Sequence, residues 1–146
     1  MNEEVLSAWG MEIGRTVETP VIFALRGDLG AGKSVLARAI ARGAGVSGPM
    51  PSPTFNLLYR YDTARGAEVV HLDLYRLERV EEVWELGWSE LGRDEQIVLI
   101  EWPERAEDIL PEPRWDIFLT MDTPETRTLR LERVGAAPDL PPLPGR

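Results

Sequence analysis

The run VIFAL (21–25) is apolar at every position and is followed at once by Arg26 and the loop GDLGAGKS (27–34). No other feature constrains the fold as much. A strand without polar alternation is buried on both faces, which calls for a parallel sheet with helices on either side. The glycines let the next turn tighten and aim backbone N–H groups at an anion, where the positive end of a helix adds its field. GDLGAGKS fits G-x-x-x-x-G-K-[ST] at each fixed position, with the strand before it and the helix after it that the motif needs. Asp28, Leu29, Gly30, Ala31, Gly32, Lys33, Ser34 and Val35 are therefore the candidate nucleotide-phosphate stretch. Lys33 is expected to reach the β and γ phosphates, and the Ser34 hydroxyl to hold Mg²⁺.

Composition sharpens this reading at one point. Sixteen residues are basic, and only one of them, Lys33, is a lysine. A compact ammonium fits between phosphate oxygens where a planar guanidinium does not. The single lysine of the chain stands where the loop chemistry requires one.

The rest of the chain alternates between helical and extended patterns. Asn2 can cap a helix carrying Val5, Leu6, Trp9, Ile13 and Val17 at helical spacing, ended by Thr19-Pro20. A second helix is expected from Lys33 to about Arg42, with Gly43 and Gly45 as stops. The prolines of GPMPSPTF (48–55) exclude helix there. NLLYRYD and AEVVHLDLY read as an antiparallel hairpin, and RVEEVWELGWSELG as one or two short helices. IVLIE (97–101) is a second buried strand, followed by the brief helix ERAEDIL and the strands WDIFLTM and RTLRLERV. The expected fold is α/β, a three-layer P-loop NTPase-like arrangement with parallel core strands and antiparallel edge strands. Residues 1–135 are expected to form one domain. Residues 136–146, rich in proline, are expected to be a mobile tail.

Three further stretches carry candidate chemistry. IVLIE ends in an acid, and functional groups of open α/β sheets gather at the carboxyl ends of strands. Glu101 can bind Mg²⁺ directly, bind it through water, or orient an attacking water. In VVHLDLY, His71, Asp73 and Tyr75 share one strand face, which suits a site lining and equally the wet face of an antiparallel strand. SPTF places Thr54 in a stiff loop, where a switch threonine or an ordinary proline turn would look alike.

The remaining composition excludes whole classes. With no cysteine and one histidine, thiolate chemistry and a His-based zinc site are ruled out. No apolar run approaches the ~18 residues of a membrane span. The first ten residues are acidic rather than a basic leader, so a cytoplasmic location is expected. A net charge of −9 disfavours tight tRNA or DNA binding, which draws on clustered Lys and Arg. N-K-x-D and LSGGQ-like sequences are absent, as is a D-x-x-G switch after the loop, which argues against a Ras-like GTPase and a transport ATPase.

GDLGAGKS, SPTF, HLDLYRL and EWPE, in this order and spacing, resemble the TsaE (YjeE) family from about residue 20 to residue 122. These are small bacterial P-loop ATPases needed for threonylcarbamoyladenosine in transfer RNA. The resemblance implies ATP and Mg²⁺ as cofactors, Lys33 and Ser34 on phosphate and metal, and Glu101 as a metal ligand. It makes Thr54, Asp73 and Trp102 residues of nucleotide handling or activity. It also implies TsaD and TsaB proteins as partners, and an enzyme slow without them. A small-molecule kinase on the same P-loop is the alternative, although no lid insert is visible in the sequence. Ser34 departs from the threonine more usual in the family, and the tail from Pro138 matches no family pattern.

Overall fold

The computed structural model describes residues 1–51 and 57–144. The stretch SPTF, with Thr54, lies outside the described residues. In chain order the elements are α1 (Glu3–Thr16), β1 (Val21–Arg26), α2 (Lys33–Ala44), β2 (Leu58–Tyr61), β3 (Glu68–Asp73), α3 (Glu82–Glu85), β4 (Gln96–Glu101), β5 (Arg114–Thr123) and β6 (Thr126–Val134). Short 3-10 segments at Trp88–Glu90 and Pro103–Ile109 fill the connections around β4.

One six-stranded sheet runs β2-β3-β4-β1-β5-β6. β3, β4, β1 and β5 are mutually parallel, and β2 and β6 close the two edges antiparallel. The expected three-layer mixed sheet is thus what the chain forms. The hairpin is part of that sheet. β3 pairs with β4 over its whole length, from Glu68 opposite Gln96 to Asp73 opposite Glu101. His71 therefore sits on an interior strand and is buried, so the wet-face reading of that strand does not hold.

Side-chain alternation on β1 divides the core. Val21, Phe23 and Leu25 face α1 and α2, meeting Leu6, Trp9, Ile13, Leu36 and Ile40. Ile22 faces the other layer, with Val70, Leu72, Val83, Trp88 and Val98. Asn2 caps α1 by accepting from the Val5 N–H at 2.8 Å. Gly45, at φ 100°, stops α2, whereas Gly43 lies inside that helix. A Cβ on Gly43 would stand 2.0 Å from the Met11 carbonyl, so its bare backbone is what lets α1 and α2 close together.

The proline-rich end is laid down on the body. Trp115 Nε1 donates to Pro138 O at 2.7 Å and Trp9 Nε1 to Pro141 O at 3.1 Å. Leu140 and Leu143 pack against the α1–α2 side of the core. The expectation of a mobile tail overlooked these two indoles, Trp9 buried and Trp115 half-buried, whose N–H groups need acceptors.

Candidate functional site

The parallel strands β1, β3 and β4 end together, and the glycine loop leaves the sheet at that edge. The loop turns through Gly27, Gly30 and Gly32, all at positive φ. Gly32, at φ 107°, directly precedes α2, and no side chain caps that helix. The opening N–H groups of α2 thus meet the cavity without a competing side-chain acceptor. A cavity of about 420 Å³ is lined here by Leu29, Gly30, Gly32, Lys33, Ser34 and Val35 from the loop. Asp73, Tyr75, Arg76, Glu101, Trp102 and Arg127 close it from the sheet side, and Glu3 and Leu6 of α1 also reach it.

The side chains at its centre form a connected set. Glu101 is 2% exposed at the end of β4. Its Oε1 accepts from the Ser34 hydroxyl at 2.8 Å and its Oε2 from His71 Nε2 at 2.5 Å. Burial pushes the Glu101 carboxyl up, but the His71 and Ser34 hydrogen bonds and the nearby positive charge outweigh it, so Glu101 is held below the ordinary range. Asp73, in register with Glu101, is pushed up instead. Burial dominates there and the Glu101 charge adds to it, against a hydrogen bond from the Tyr75 N–H at 3.0 Å. Two adjacent carboxyls are thereby driven in opposite directions.

Lys33 is 5% exposed. Its ammonium donates to the Gly27 carbonyl and sits 3.4 Å from the centroid of the Trp102 ring. Burial lowers its proton affinity, while Glu101, Glu104, Asp73 and Asp28 pull the other way. Trp102 has φ 57°, the only non-glycine residue among those described in the left-handed region. That backbone turn, strained for a bulky residue, folds the indole back over Lys33. Tyr75 supports it, with ring centroids 4.9 Å apart.

The sequence-derived residues are therefore mostly brought together. Lys33, Ser34, Asp73, Glu101 and Trp102 converge, with Leu29, Gly30, Gly32 and Val35 around them. Asp28 and Ala31 line a separate cavity of about 480 Å³ with Arg26, Phe118 and Thr120, on the β5 side of the loop. Sequence reasoning did not foresee the grip of His71 on Glu101. The only hint was the chain's single histidine two residues before Asp73. Arg127 carried no signal at all.

Among the described residues no group of three or more His, Cys, Asp or Glu side chains is set to hold a metal ion. Mg²⁺ keeps most of its waters and binds through one or two carboxylates together with a substrate phosphate. A hydroxyl and a carboxylate 2.8 Å apart at an uncapped helix start are a donor set of that kind. No described helix is long and apolar enough to cross a membrane.

The family model "Threonylcarbamoyl adenosine biosynthesis protein TsaE" matches residues 1–129. The chain is 41% identical over 105 residues to the tRNA threonylcarbamoyladenosine biosynthesis protein TsaE of Haemophilus influenzae, covering 72% of this chain and 65% of that one. It is 32% identical over 114 residues to the protein of the same name in Bacillus subtilis, covering 78% of this chain and 70% of that one. Among solved structures, the crystal structure of YdiB from Bacillus subtilis superposes with a TM-score of 0.75 at 26% identity, covering 92% of this chain and 82% of that one. The shared architecture is the P-loop nucleotide-binding fold, and the chain belongs to the TsaE family.

Proposed function

We propose that this chain binds and hydrolyses ATP with Mg²⁺, and that it serves threonylcarbamoyladenosine modification of tRNAs by acting on or with TsaD and TsaB proteins. The observation that carries the reading is the convergence of Lys33, Ser34, Asp73 and Glu101, from three separate stretches of chain, on one cavity at the start of α2. The names of the relatives support the pathway.

In this reading Lys33 exchanges the Gly27 carbonyl for phosphate oxygens, and the uncapped N–H groups of α2 bind the same anion. Ser34 and Glu101 would hold Mg²⁺, which neutralises charge on the β and γ oxygens when bound. His71 keeps Glu101 aimed at Ser34. Asp73, with its raised proton affinity, accepts a proton from the attacking water. Trp102 covers Lys33 and, with Thr54, senses the state of the nucleotide. Arg127 is committed to backbone carbonyls, so it is not free to act as an arginine finger. A finger is worth ~10³–10⁵ in rate in related enzymes; slow turnover of the chain alone is what the resemblance to the TsaE family implies.

Hydrolysis of Mg·ATP measured with and without TsaD and TsaB tests the reading. Slow turnover alone, changed severalfold by the pair, supports it. Fast transfer of phosphate to a small acceptor without partners would make the chain a kinase instead. We also propose that tRNA is not bound tightly. The net charge is −9, and six of the fifteen arginines, Arg15, Arg26, Arg60, Arg114, Arg130 and Arg133, are each paired with an acid. Sub-micromolar tRNA binding with a steep salt slope would refute that.

A further inference from the structure

Arg127 belongs to β6, yet it lines the same cavity as Lys33 and Ser34. Among the described residues its guanidinium donates to main-chain oxygens. Nε meets Ala31 O at 2.9 Å and Nη2 meets Gly30 O at 3.2 Å. Nη1 meets the carbonyls of Thr123, Pro124 and Thr126 at 3.1, 3.3 and 3.0 Å. Its own N–H donates to Met1 O at 2.7 Å. One side chain thus joins the phosphate loop to the β5–β6 turn, from a backbone tied to the segment before α1.

The Ala31 carbonyl is the consequential one. A trans peptide is planar, so its C=O and the following N–H point to opposite sides. With Ala31 O drawn to Arg127, the N–H of Gly32 is turned away from the guanidinium. Gly32 lines the cavity and stands at φ 107°, where glycine passes between backbone states at little cost. The preceding peptide is secured twice, because the Ala31 N–H also donates to Asp28 O at 3.0 Å. The Ala31–Gly32 peptide has only the Arg127 hydrogen bond among the described residues.

We infer that Arg127 is a positioning residue for nucleotide binding: it holds the Ala31–Gly32 peptide with its N–H toward the phosphates and ties that orientation to the β5–β6 turn. The inference rests on the reading of the loop as an ATP site. Without the guanidinium the peptide is free to flip and to present a carbonyl to the anion.

Calorimetry of Arg127→Ala and Arg127→Lys, each with Mg·ATP and with inorganic tripolyphosphate, tests it. Both variants should lose roughly tenfold or more in affinity, the scale of one lost charge-assisted hydrogen bond. The factor should be the same for both ligands, because the loop and not the nucleoside is affected. Lysine should not rescue, since one ammonium cannot span the carbonyls of Gly30, Ala31 and the turn. Loss of ATP affinity with tripolyphosphate binding intact would mean that Arg127 touches the base or ribose, and would overturn the inference. Unchanged affinity for both ligands would overturn it as well. If neither variant folds, the Gly32 amide resonance of the wild-type chain decides: it must shift when tripolyphosphate is added, and an unmoved resonance overturns the proposal. A wild-type chain that binds neither ligand overturns the ATP reading itself, and this inference with it.

Discussion

The ammonium of Lys33 lies 3.4 Å from the centroid of the Trp102 ring, so the residue expected to hold phosphate is covered by the residue next to Glu101. A cation on an indole face is worth about 0.5–2 kcal/mol, more as water is excluded. Phosphate oxygens outcompete that face for the ammonium. Nucleotide binding should therefore uncover the ring and change Trp102 emission. Trp102→Phe should abolish the nucleotide-dependent part of the fluorescence signal while the other four tryptophans remain. A persisting signal would place the reporter elsewhere.

Lys33→Met should cost roughly 100-fold in Mg·ATP affinity, about 3 kcal/mol, the upper range for hydrogen bonds to a charged group. The melting temperature of the nucleotide-free protein should change little, because relief of the burial penalty offsets the lost Gly27 hydrogen bond and indole contact. Burial already disfavours the charged amine, and a folded pKa below the unfolded one is a penalty at every pH where the amine is charged. Calorimetry and thermal melts together check this. A large drop in melting temperature would make Lys33 structural.

Glu101→Gln should lower turnover at least a hundredfold while reducing stability by only about 1–3 kcal/mol, the range for a hydrogen bond to a buried charge. The pH dependence has a definite sign. The Glu101 carboxyl is held below its ordinary 4.5, so its contribution is complete above that value and is lost as pH falls through the folded pKa. The stability gap between wild type and Glu101→Gln should narrow on acidification below about pH 4.5. A gap that stays constant through that range would exclude an ionised, hydrogen-bonded Glu101.

Asp73→Asn should behave oppositely in stability. The raised Asp73 pKa means that the folded state holds its proton more tightly than the unfolded chain does. The penalty for ionisation grows as pH rises past the unfolded value and is complete above the folded one. At neutral pH the nucleotide-free variant should melt roughly 1–3 °C higher, the scale of a few tenths to one kcal/mol in a domain of this size. Its turnover should nevertheless fall. A variant less stable than wild type at neutral pH would contradict the burial argument.

What was legible in the chain follows the range of each interaction. The Asn2 cap, the apolar β1, the glycine loop and the acid-ended β4 are written in neighbouring residues, and the structure places them as read. The position of β3 was not legible, because both an edge strand and an interior strand can alternate as VVHLDLY does. Only pairing with β4, more than twenty residues away, decides it and buries His71. The Arg127 brace was invisible for a different reason. Its partners are main-chain carbonyls of Gly30 and Ala31, and a carbonyl has no residue identity for a pattern to reveal. The docked proline segment escaped notice because the two indoles that hold it, Trp9 and Trp115, are remote from it in sequence.

The buried Lys33 has a consequence for labelling chemistry. Because the chain carries a single ε-amine and that amine lines the cavity, a lysine-directed acylating reagent has one side-chain target. Burial shifts that amine toward its neutral, nucleophilic form, while the indole above it limits access. A ligand that engages the ammonium will shield it from the reagent. The mass of one modified peptide then becomes a direct readout of occupancy, with no need to engineer a tag.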